Sequence, residues 1–384
     1  MSLICEVGKT QLVKHGEVTC GDSVEIVRNP DETVVVLSDG LGSGVKANIL
    51  SNLTTKIISK MVSSKVPLSD IVETIVGTLP VCSVRGVAYS TFTILKISPA
   101  GEVDIIDFDG LPPILIKNGL VEVVERKTEE IFDKQINKAH LKLNEGDLLF
   151  ISSDGVTEAG LGLTLPMGLQ TKGLVKALKE HVNLHCSAQE LVDQIIDICM
   201  SYYISEPGDD TTGVAVQMRQ ARECAILTGL PPNKEDDARI VSDFLHSHGR
   251  KAICGGTTAQ IFARESGMEL TTDDHDLLTS EVPPISHIKG IELVTEGIIT
   301  MNKCSELLEY ILQGNTLSKP RQENGSTLLL NELLLADRIT IFFGTQLNPA
   351  YEQIKPGIRL RNVVIEKLTS QLQKLGKEVI IHQY

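Results

Sequence analysis

The sequence predicts two regions of different fold class, an α+β region over residues 1–220 and an α/β region over residues 221–384. Strand-like runs follow one another between about Tyr89 and Leu149, with short turns such as Pro99-Ala100-Gly101, which favours antiparallel hairpins. After the polar stretch Gln217–Glu223, strand-like and helix-like segments alternate, which is typical of an α/β unit. With 384 residues the chain is long enough for two domains. We expect the boundary to lie in the polar stretch.

Apolar β-branched runs predict the strands of the first region, and apolar residues at helical spacing predict its helices. The predicted strands are Val24–Arg28, Thr33–Ser38, Val87–Ile97, Val103–Phe108, Ile114–Lys117, Asp147–Ser153 and Thr212–Met218. The predicted helices are about Val45–Ser63, Leu68–Thr78, Thr171–His181 and Ser187–Tyr203. Ser43 and Ser187 stand where an N-cap is expected.

The second region alternates its predicted elements. The predicted strands are Cys224–Leu227, Lys251–Cys254, Ile339–Phe343 and Glu378–His382. The predicted helices are Lys234–His248, Leu360–Leu375 and one that starts at Thr257–Glu265. Gly255-Gly256-Thr257 could hold an anion at the start of a helix, but a glycine turn that packs a helix close to its strand is the favoured interpretation.

Composition excludes several classes of function. A formal net charge of −14 disfavours binding to a nucleic-acid backbone or to an anionic membrane surface. The eight cysteines form no C-x-x-C pair and lie mostly in apolar stretches, as buried reduced thiols do. No apolar run approaches the ~20 residues that span a bilayer. We therefore expect a cytoplasmic protein with neither nucleic acid nor membrane as a partner.

Four aspartates lie at the ends of strand-like runs or in the turns before them. They are Asp22, Asp39, Asp154 and Asp209. Carboxylates at corresponding strand ends can converge on hard cations, because Mg²⁺ and Mn²⁺ prefer oxygen ligands. Asp39 could bridge two cations, with the carbonyl of Gly40 as a further ligand. Two bridged cations would lower the pKa of a shared water and promote displacement at phosphorus.

The glycines after Asp39 permit a competing interpretation. Gly42-Ser43-Gly44-Val45-Lys46-Ala47 matches the weak form of a dinucleotide-binding fingerprint after a strand. That fingerprint requires an acidic residue at the end of a second strand ~20 positions later. The corresponding stretch, Ser59–Lys65, contains neither an acid nor a strand pattern. The dinucleotide interpretation is therefore rejected.

In five stretches, the sequence between about Ser2 and Gln220 resembles the stage II sporulation protein E branch of the bacterial metal-dependent protein phosphatase 2C family. The stretches occur in the family's order and are Gly21-Asp22-Ser23, Leu37-Ser38-Asp39-Gly40-Leu41-Gly42-Ser43-Gly44, Asp109-Gly110-Leu111-Pro112-Pro113, Ser152-Ser153-Asp154-Gly155-Val156-Thr157-Glu158-Ala159 and Gly208-Asp209-Asp210-Thr211-Thr212. The resemblance implies a sandwich of two antiparallel β-sheets flanked by helices.

The resemblance also implies the chemistry of the site. Two Mn²⁺ or Mg²⁺ ions would be held by Asp22, Asp39, the Gly40 carbonyl, Asp154 and Asp209, with Asp39 and Asp154 acting in catalysis through a metal-activated water. The substrate would be phosphoserine or phosphothreonine on a bacterial regulatory protein, such as an anti-sigma-factor antagonist. Relatives in eukaryotes grip the phosphate with an Arg before the first acid. In this sequence, only Lys14 or His15 could bind the phosphate in its place.

Two alternative functions remain open. The same pair of ions could hydrolyse a small phosphoester, or the domain could be a pseudophosphatase that only binds a phosphoprotein. The presence of all four acids argues against a pseudophosphatase. We expect the second region to be a regulatory, ligand-binding or dimerising module, which leaves a homodimer open. Asp107 and Asp109 are expected to be exposed or turn acids, and His181 and His185 solvated residues at a helix end.

Overall fold

The computed structural model describes residues 3–29, 31–78, 90–132, 134–204, 206–272, 285–315, 324–346 and 361–384. The chain divides into two compact units, Met1–Gln220 and Ala221–Tyr384. The strands of the first unit are β1 (Leu3–Leu12), β2 (Asp22–Asn29), β3 (Glu32–Gly40), β4 (Ser90–Ile97), β5 (Glu102–Phe108), β6 (Ile114–Lys117), β7 (Leu120–Val123), β8 (Lys127–Ile131), β9 (Lys134–Lys142), β10 (Leu148–Ser152) and β11 (Thr211–Gln220). Its helices are α1 (Gly44–Ser63), α2 (Leu68–Thr78), α3 (Asp154–Glu158), α4 (Gln170–His181) and α5 (Ala188–Tyr203).

These strands form two antiparallel sheets. One has the order β2-β3-β4-β5-β9-β8, and the other has the order β1-β11-β10-β6-β7. The inner faces of both sheets meet in one core, where Val35 and Leu95 of the first sheet pack with Leu149 and Val214 of the second. The first unit is therefore a β-sandwich, as the family resemblance implied.

Helices cover both outer faces of the sandwich. Helices α1 and α2 pack on β3 and β4 through Ile58, Ile71 and Ile94, while α5 packs on β10 and β11 through residues such as Ile195. Strand β3 is thus buried on both faces, with Val34 and Val36 towards the helices and Val35 towards the other sheet. This double burial explains its unbroken apolar run.

The caps of the two long helices differ. Ser187 caps α5 with a full capping box, in which its hydroxyl accepts from the Glu190 N–H. Ser43 stands at the N-cap of α1, but its hydroxyl donates to Glu17 Oε1 at 3.0 Å instead. The predicted cap at Ser187 is confirmed, whereas Ser43 occupies the cap position without making the capping bond.

The second unit is an α/β unit. It contains β12 (Glu223–Leu230), α6 (Asp237–His246), β13 (Arg250–Cys254), α7 (Gly256–Ser266), β14 (Leu270–Thr272), β15 (Ser286–Ile288), β16 (Leu293–Thr295), α8 (Ile298–Leu312), α9 (Gly325–Leu335), β17 (Arg338–Thr345), α10 (Arg361–Lys374) and β18 (Glu378–Gln383). The sheet order is β14-β15-β16-β13-β12-β17-β18, and the pairings from β16 to β18 are parallel.

The predicted elements omitted several that the structure contains. In the first unit these are β1, β7, β8, β9 and α3, and in the second they are β14, β15, α8 and α9, whereas β16 coincides with the strand-like run Leu293–Thr295. The predicted strand Val87–Ile97 starts outside the described residues, and β4 begins at Ser90. None of the helices in the described ranges is long and apolar enough to cross a bilayer.

Candidate metal-binding active site

The first two aspartates come together through the β2–β3 hairpin. Asp22 is the first residue of β2, Asp39 is the last but one of β3, and the two are direct cross-strand partners. Directly opposed residues of an antiparallel pair have Cβ atoms about 4.5–5.5 Å apart. Two carboxylates are therefore forced into proximity at one end of the six-stranded sheet.

The other sheet brings its acids to the same place. β10 ends at Ser152, and Asp154 begins α3, two residues further on. Asp154 lies close enough to Asp39 for the charge of Asp154 to raise the pKa of Asp39. Asp209 lies in the loop before β11 and acts electrostatically on both. The four predicted ligands are thus gathered at one end of the sandwich.

Burial and mutual repulsion dominate the electrostatics of this cluster. Burial, followed by the charges of Asp22, Asp154 and Asp209, raises the pKa of Asp39 to about 9. Burial is also the main cause that raises the pKa of Asp22 to about 6, against the hydrogen bond from Thr212. Burial and Asp209 raise the pKa of Asp154 as well. Such a cluster favours cations, because opposite charge would stabilise the ionised carboxylates.

Two buried oxygen atoms at the cluster lack partners. Asp22 Oδ2 accepts a hydrogen bond from Thr212 Oγ1 at 2.6 Å, but Asp22 Oδ1 has no partner among the described residues. Asp210 Oδ1 accepts from the Lys14 N–H at 3.0 Å, and Asp210 Oδ2 is likewise without a partner there. Buried carboxylate oxygens left unsatisfied in this way fit a site that binds a cation or its water ligands.

The cluster does not resemble a closed cage for one ion. Within the described residues, no three acidic, histidine or cysteine side chains converge in the geometry of a single metal site. Mg²⁺ commonly keeps several waters and uses one or two carboxylates. The donor set therefore fits hydrated Mg²⁺ or Mn²⁺ ions that are each held by few side chains.

Glycines beside the aspartates allow the close packing of the site. A Cβ on Gly40 would lie 2.1 Å from the Ala47 carbonyl oxygen of α1. A Cβ on Gly155 would lie 2.2 Å from the Asp210 carbonyl oxygen. The Asp-Gly pairs of the sequence are therefore needed because backbone approaches backbone at both positions, whatever the role of the Gly40 carbonyl.

Lys14 is the predicted phosphate-binding residue that the structure brings to the site. Its ammonium lies 3.4 Å from Asp209 Oδ1, with 37% and 30% of the two side chains exposed. The neighbouring His15 is exposed, and its N–H donates to the Pro207 carbonyl at 2.8 Å. A cleft lined by Asp39, Thr91, Asp109 and Asp154, among others, opens beside the cluster.

Asp107 corrects one expectation from the sequence. It is fully buried, not exposed, and its Oδ2 accepts from Arg126 at 2.7 Å while Asn137 donates to its Oδ1 at 3.0 Å. Asp109 is exposed at a positive φ of 52°, as expected for a turn acid. Asp210 is buried beside the cluster, and its hydrogen bond from the Lys14 N–H holds the loop before β2.

The motifs outside this cluster make structural contacts. Gly255 has a φ of 139° and precedes α7, and Thr258 Oγ1 donates to the Gly229 carbonyl at 3.3 Å, as in the favoured packing turn. His185 is exposed, and its N–H donates to Asn183 Oδ1.

Comparison with known proteins agrees with the fold of the first unit. The model of the stage II sporulation protein E (SpoIIE) family matches residues 29–219. The structure resembles the PP2C phosphatase domain of SpoIIE from Bacillus subtilis, with a regulatory-domain fragment, at 22% identity and a TM-score of 0.50, over 57% of this chain and 64% of that one. No curated protein sequence matches the chain.

Two further solved structures are similar over the same region. The RsbU and RsbW domains of a Mycobacterium tuberculosis protein match at 18% identity and a TM-score of 0.46, over 63% of this chain and 68% of that one. RsbX in complex with magnesium matches at 21% identity and a TM-score of 0.41, over 56% of this chain and 95% of that one.

Proposed function

Because residues 29–219 belong to the stage II sporulation protein E family and form a protein phosphatase 2C-like domain, we propose that the protein is a metal-dependent serine/threonine protein phosphatase. The observation that carries the proposal is the cluster of Asp22, Asp39, Asp154 and Asp209, in which the strongest charges acting on Asp39 are those of other aspartates. Such an arrangement is costly without cations and suits phosphoryl chemistry with them.

The proposed ligands are those expected from the sequence. Asp22, Asp39 and the Gly40 carbonyl would hold one Mn²⁺ or Mg²⁺ ion, and Asp39 with Asp154 and Asp209 would hold a second. The chemistry that such ions supply is a water of lowered pKa and the neutralisation of charge on the phosphoryl group.

The chain's own residues orient this site. Thr212 donates to Asp22 and so fixes one of its oxygens, while the Ser153 hydroxyl accepts from the Thr212 N–H at 2.9 Å. Lys14 brings a positive charge next to Asp209, where it can attract a phosphate.

The proposed substrate is a phosphoserine or phosphothreonine of a bacterial regulatory protein, of which an anti-sigma-factor antagonist is the kind that the family suggests. A small phosphoester remains the alternative substrate, because the same pair of cations would supply the same chemistry to it. A pseudophosphatase is disfavoured, because all four acids are present and adjacent.

The second unit is proposed to be an accessory module that regulates the first, binds a ligand or mediates a homodimer.

Hydrolysis of a phosphothreonine peptide tests the proposal. We expect turnover in Mn²⁺ or Mg²⁺, none in EDTA, and a loss of at least about a thousandfold in Asp154→Asn, because several kcal/mol of transition-state stabilisation depend on the cations. Asp104→Asn is the matched control, since Asp104 is an exposed acid of β5 that pairs with His140. Turnover that survives both EDTA and Asp154→Asn would refute metal dependence at this cluster.

A further inference from the structure

A second pocket lies next to the acidic cluster formed by Asp22, Asp39, Asp154 and Asp209. Its lining includes Lys14, His15, Leu163, Tyr203 and Ile204. The pocket adjoins the acidic cluster at Lys14, which lines the pocket and contacts Asp209. The hydrogen bond from His15 to Pro207 joins two of its walls at 2.8 Å. Leu163 and Ile204 are 64% and 65% exposed, so the pocket presents two large apolar side chains to solvent.

The backbone conformation of Ile204 is unfavourable for this residue type. Ile204 ends α5 with φ 56° and ψ 44°, the left-handed conformation. Glycine or asparagine normally takes this position, and a β-branched residue there is a strained outlier. Burial does not compensate, because most of the side chain is exposed. Isoleucine at this position therefore neither relieves the backbone nor adds to the hydrophobic core. A role of its exposed side chain in binding would explain why isoleucine occurs here.

Leu163 is presented by an ordered loop. The Leu163 N–H donates to the Gly160 carbonyl, and the Gly162 N–H donates to the Leu165 carbonyl, both at 3.0 Å. Thr164 Oγ1 donates to the Tyr202 carbonyl at 2.9 Å, which ties the loop to the end of α5. The loop therefore holds an apolar side chain outwards at a defined position.

Tyr203 links the pocket to the catalytic end of the sandwich. Its ring is buried, and its hydroxyl donates to the Gly155 carbonyl at 2.6 Å. Gly155 directly follows Asp154. The position of the pocket is therefore set relative to a proposed ligand of the catalytic cations.

We propose that this pocket binds a large apolar side chain of the phosphorylated protein segment, close in sequence to the phosphoresidue, and so selects substrates. The proposal rests on the proposed phosphatase activity and specifies its substrate class. Lys14 provides a positive charge for the phosphate on the side of the pocket next to Asp209, and Leu163 and Ile204 contact the apolar side chain. A free phosphate ester that lacks a peptide would not reach the pocket.

The test uses the full chain and a set of phosphothreonine peptides, in which one leucine is moved from three residues before the phosphothreonine to three residues after it in an otherwise serine-alanine sequence. We expect one leucine position to raise kcat/KM about tenfold, the usual value of one apolar group in a pocket. Leu163→Ser and Ile204→Asn should abolish that preference and leave the turnover of p-nitrophenyl phosphate unchanged. Leu120→Ser, at an equally exposed leucine of β7, should keep the preference.

Ile204→Gly distinguishes a binding role of Ile204 from a structural role, because loss of a structural residue would lower the melting temperature. Glycine relieves the left-handed strain, so we expect the melting temperature to rise by about 2–4 °C while the leucine preference disappears. A preference that survives in Leu163→Ser and Ile204→Gly, or its absence in the wild type despite peptide hydrolysis, would overturn the pocket assignment and leave the phosphatase intact. Failure of the wild type to hydrolyse any phosphopeptide in Mn²⁺ would instead refute the phosphatase activity itself.

Discussion

Two buried aspartate environments in the first unit differ in their partners. At Asp107 burial raises the pKa, whereas its strongest neighbours, Asn137 and Arg126, lower it. At Asp39 burial raises the pKa, and its strongest neighbours, Asp22, Asp154 and Asp209, raise it further. Neighbouring groups therefore favour the ionised carboxylate at Asp107 and disfavour it at Asp39, although the pKa of both is raised. Burial alone does not separate a structural acid from a functional one, but the sign of the neighbouring charges does.

The two environments should also differ in their contribution to the stability of the folded state. Asp107, Arg126 and Asn137 form a satisfied buried network, whose loss would leave an uncompensated charge. The carboxylates around Asp39 are close to one another and lack a comparable network of basic or amide partners, as expected for the proposed cation site. Alanine substitutions at the two positions should therefore have opposite effects on stability.

The largest expected effects come from Asp39→Ala and Asp107→Ala as a matched pair. Asp39→Ala should lower phosphopeptide turnover at least about a thousandfold, because a residue proposed to hold both cations is lost. In EDTA its free energy of unfolding should be unchanged or higher, because repulsion is relieved. Asp107→Ala should lower the free energy of unfolding by about 3–5 kcal/mol, because Arg126 loses its buried partner. Folded Asp107→Ala should keep its turnover within a few-fold.

Urea unfolding in EDTA and peptide hydrolysis in Mn²⁺ measure both quantities for each variant. A strong loss of stability in Asp39→Ala without metal would show that Asp39 is a structural acid like Asp107. Unchanged stability in Asp107→Ala would show that its network contributes little. Either result would remove the contrast between the two environments.

A smaller effect is expected in the pH dependence of stability. The folded pKa of Asp39 is about 9 and that of Asp22 about 6, both above the ordinary value. The folded state therefore binds more protons than the unfolded state between about pH 4 and pH 9, and in EDTA its free energy of unfolding should fall as the pH rises through this window. Mn²⁺ should reduce the fall, because cations replace the protons.

Asp39→Asn is the control for this dependence, since it removes the titrating group and keeps the shape. Its unfolding free energy in EDTA should vary less with pH than that of the wild type. Equal slopes in the two proteins would contradict the assignment of the dependence to Asp39. Equal wild-type slopes in EDTA and in Mn²⁺ would contradict cation binding at the cluster.

Sequence reasoning captured features that depend on short range. Strands β2 and β3 are adjacent in the sequence, with only two residues between them, and their antiparallel pairing places Asp22 opposite Asp39. The proximity of these two aspartates therefore follows from a local pattern. The positions of Asp154 and Asp209 at strand ends allowed convergence with them, but only the family resemblance specified it, because two different sheets must be aligned. The partners of Asp107 lie 19 and 30 residues away, and no local signal links them.

The helices missed in the second unit have a similar explanation. The leucines of α9 recur almost without a polar face, and Leu329, Leu330 and Leu333 are all buried. Periodicity is a weak signal in a helix of this kind. The capping box between Asn324 and Thr327 was the better indication, since Asn324 Oδ1 accepts from the Ser326 and Thr327 N–H groups.

The smallest expected effect concerns the only basic side chain in the described part of the chain that pairs with the acidic cluster. Lys14 meets Asp209 in a partly exposed ion pair, so Lys14→Met should change the free energy of unfolding by less than about 1 kcal/mol. The loop should keep its place, because the Lys14 N–H, not the side chain, binds Asp210. We expect a few-fold rise in KM for a phosphothreonine peptide with little change in kcat, because Lys14 attracts the phosphate and does not take part in bond cleavage. Lys14→Arg is the matched gain-of-function variant, since a guanidinium can grip phosphate through two parallel hydrogen bonds. Its KM should be lower than that of the wild type, and equal KM values for Met, Lys and Arg at position 14 would show that this charge serves Asp209 alone.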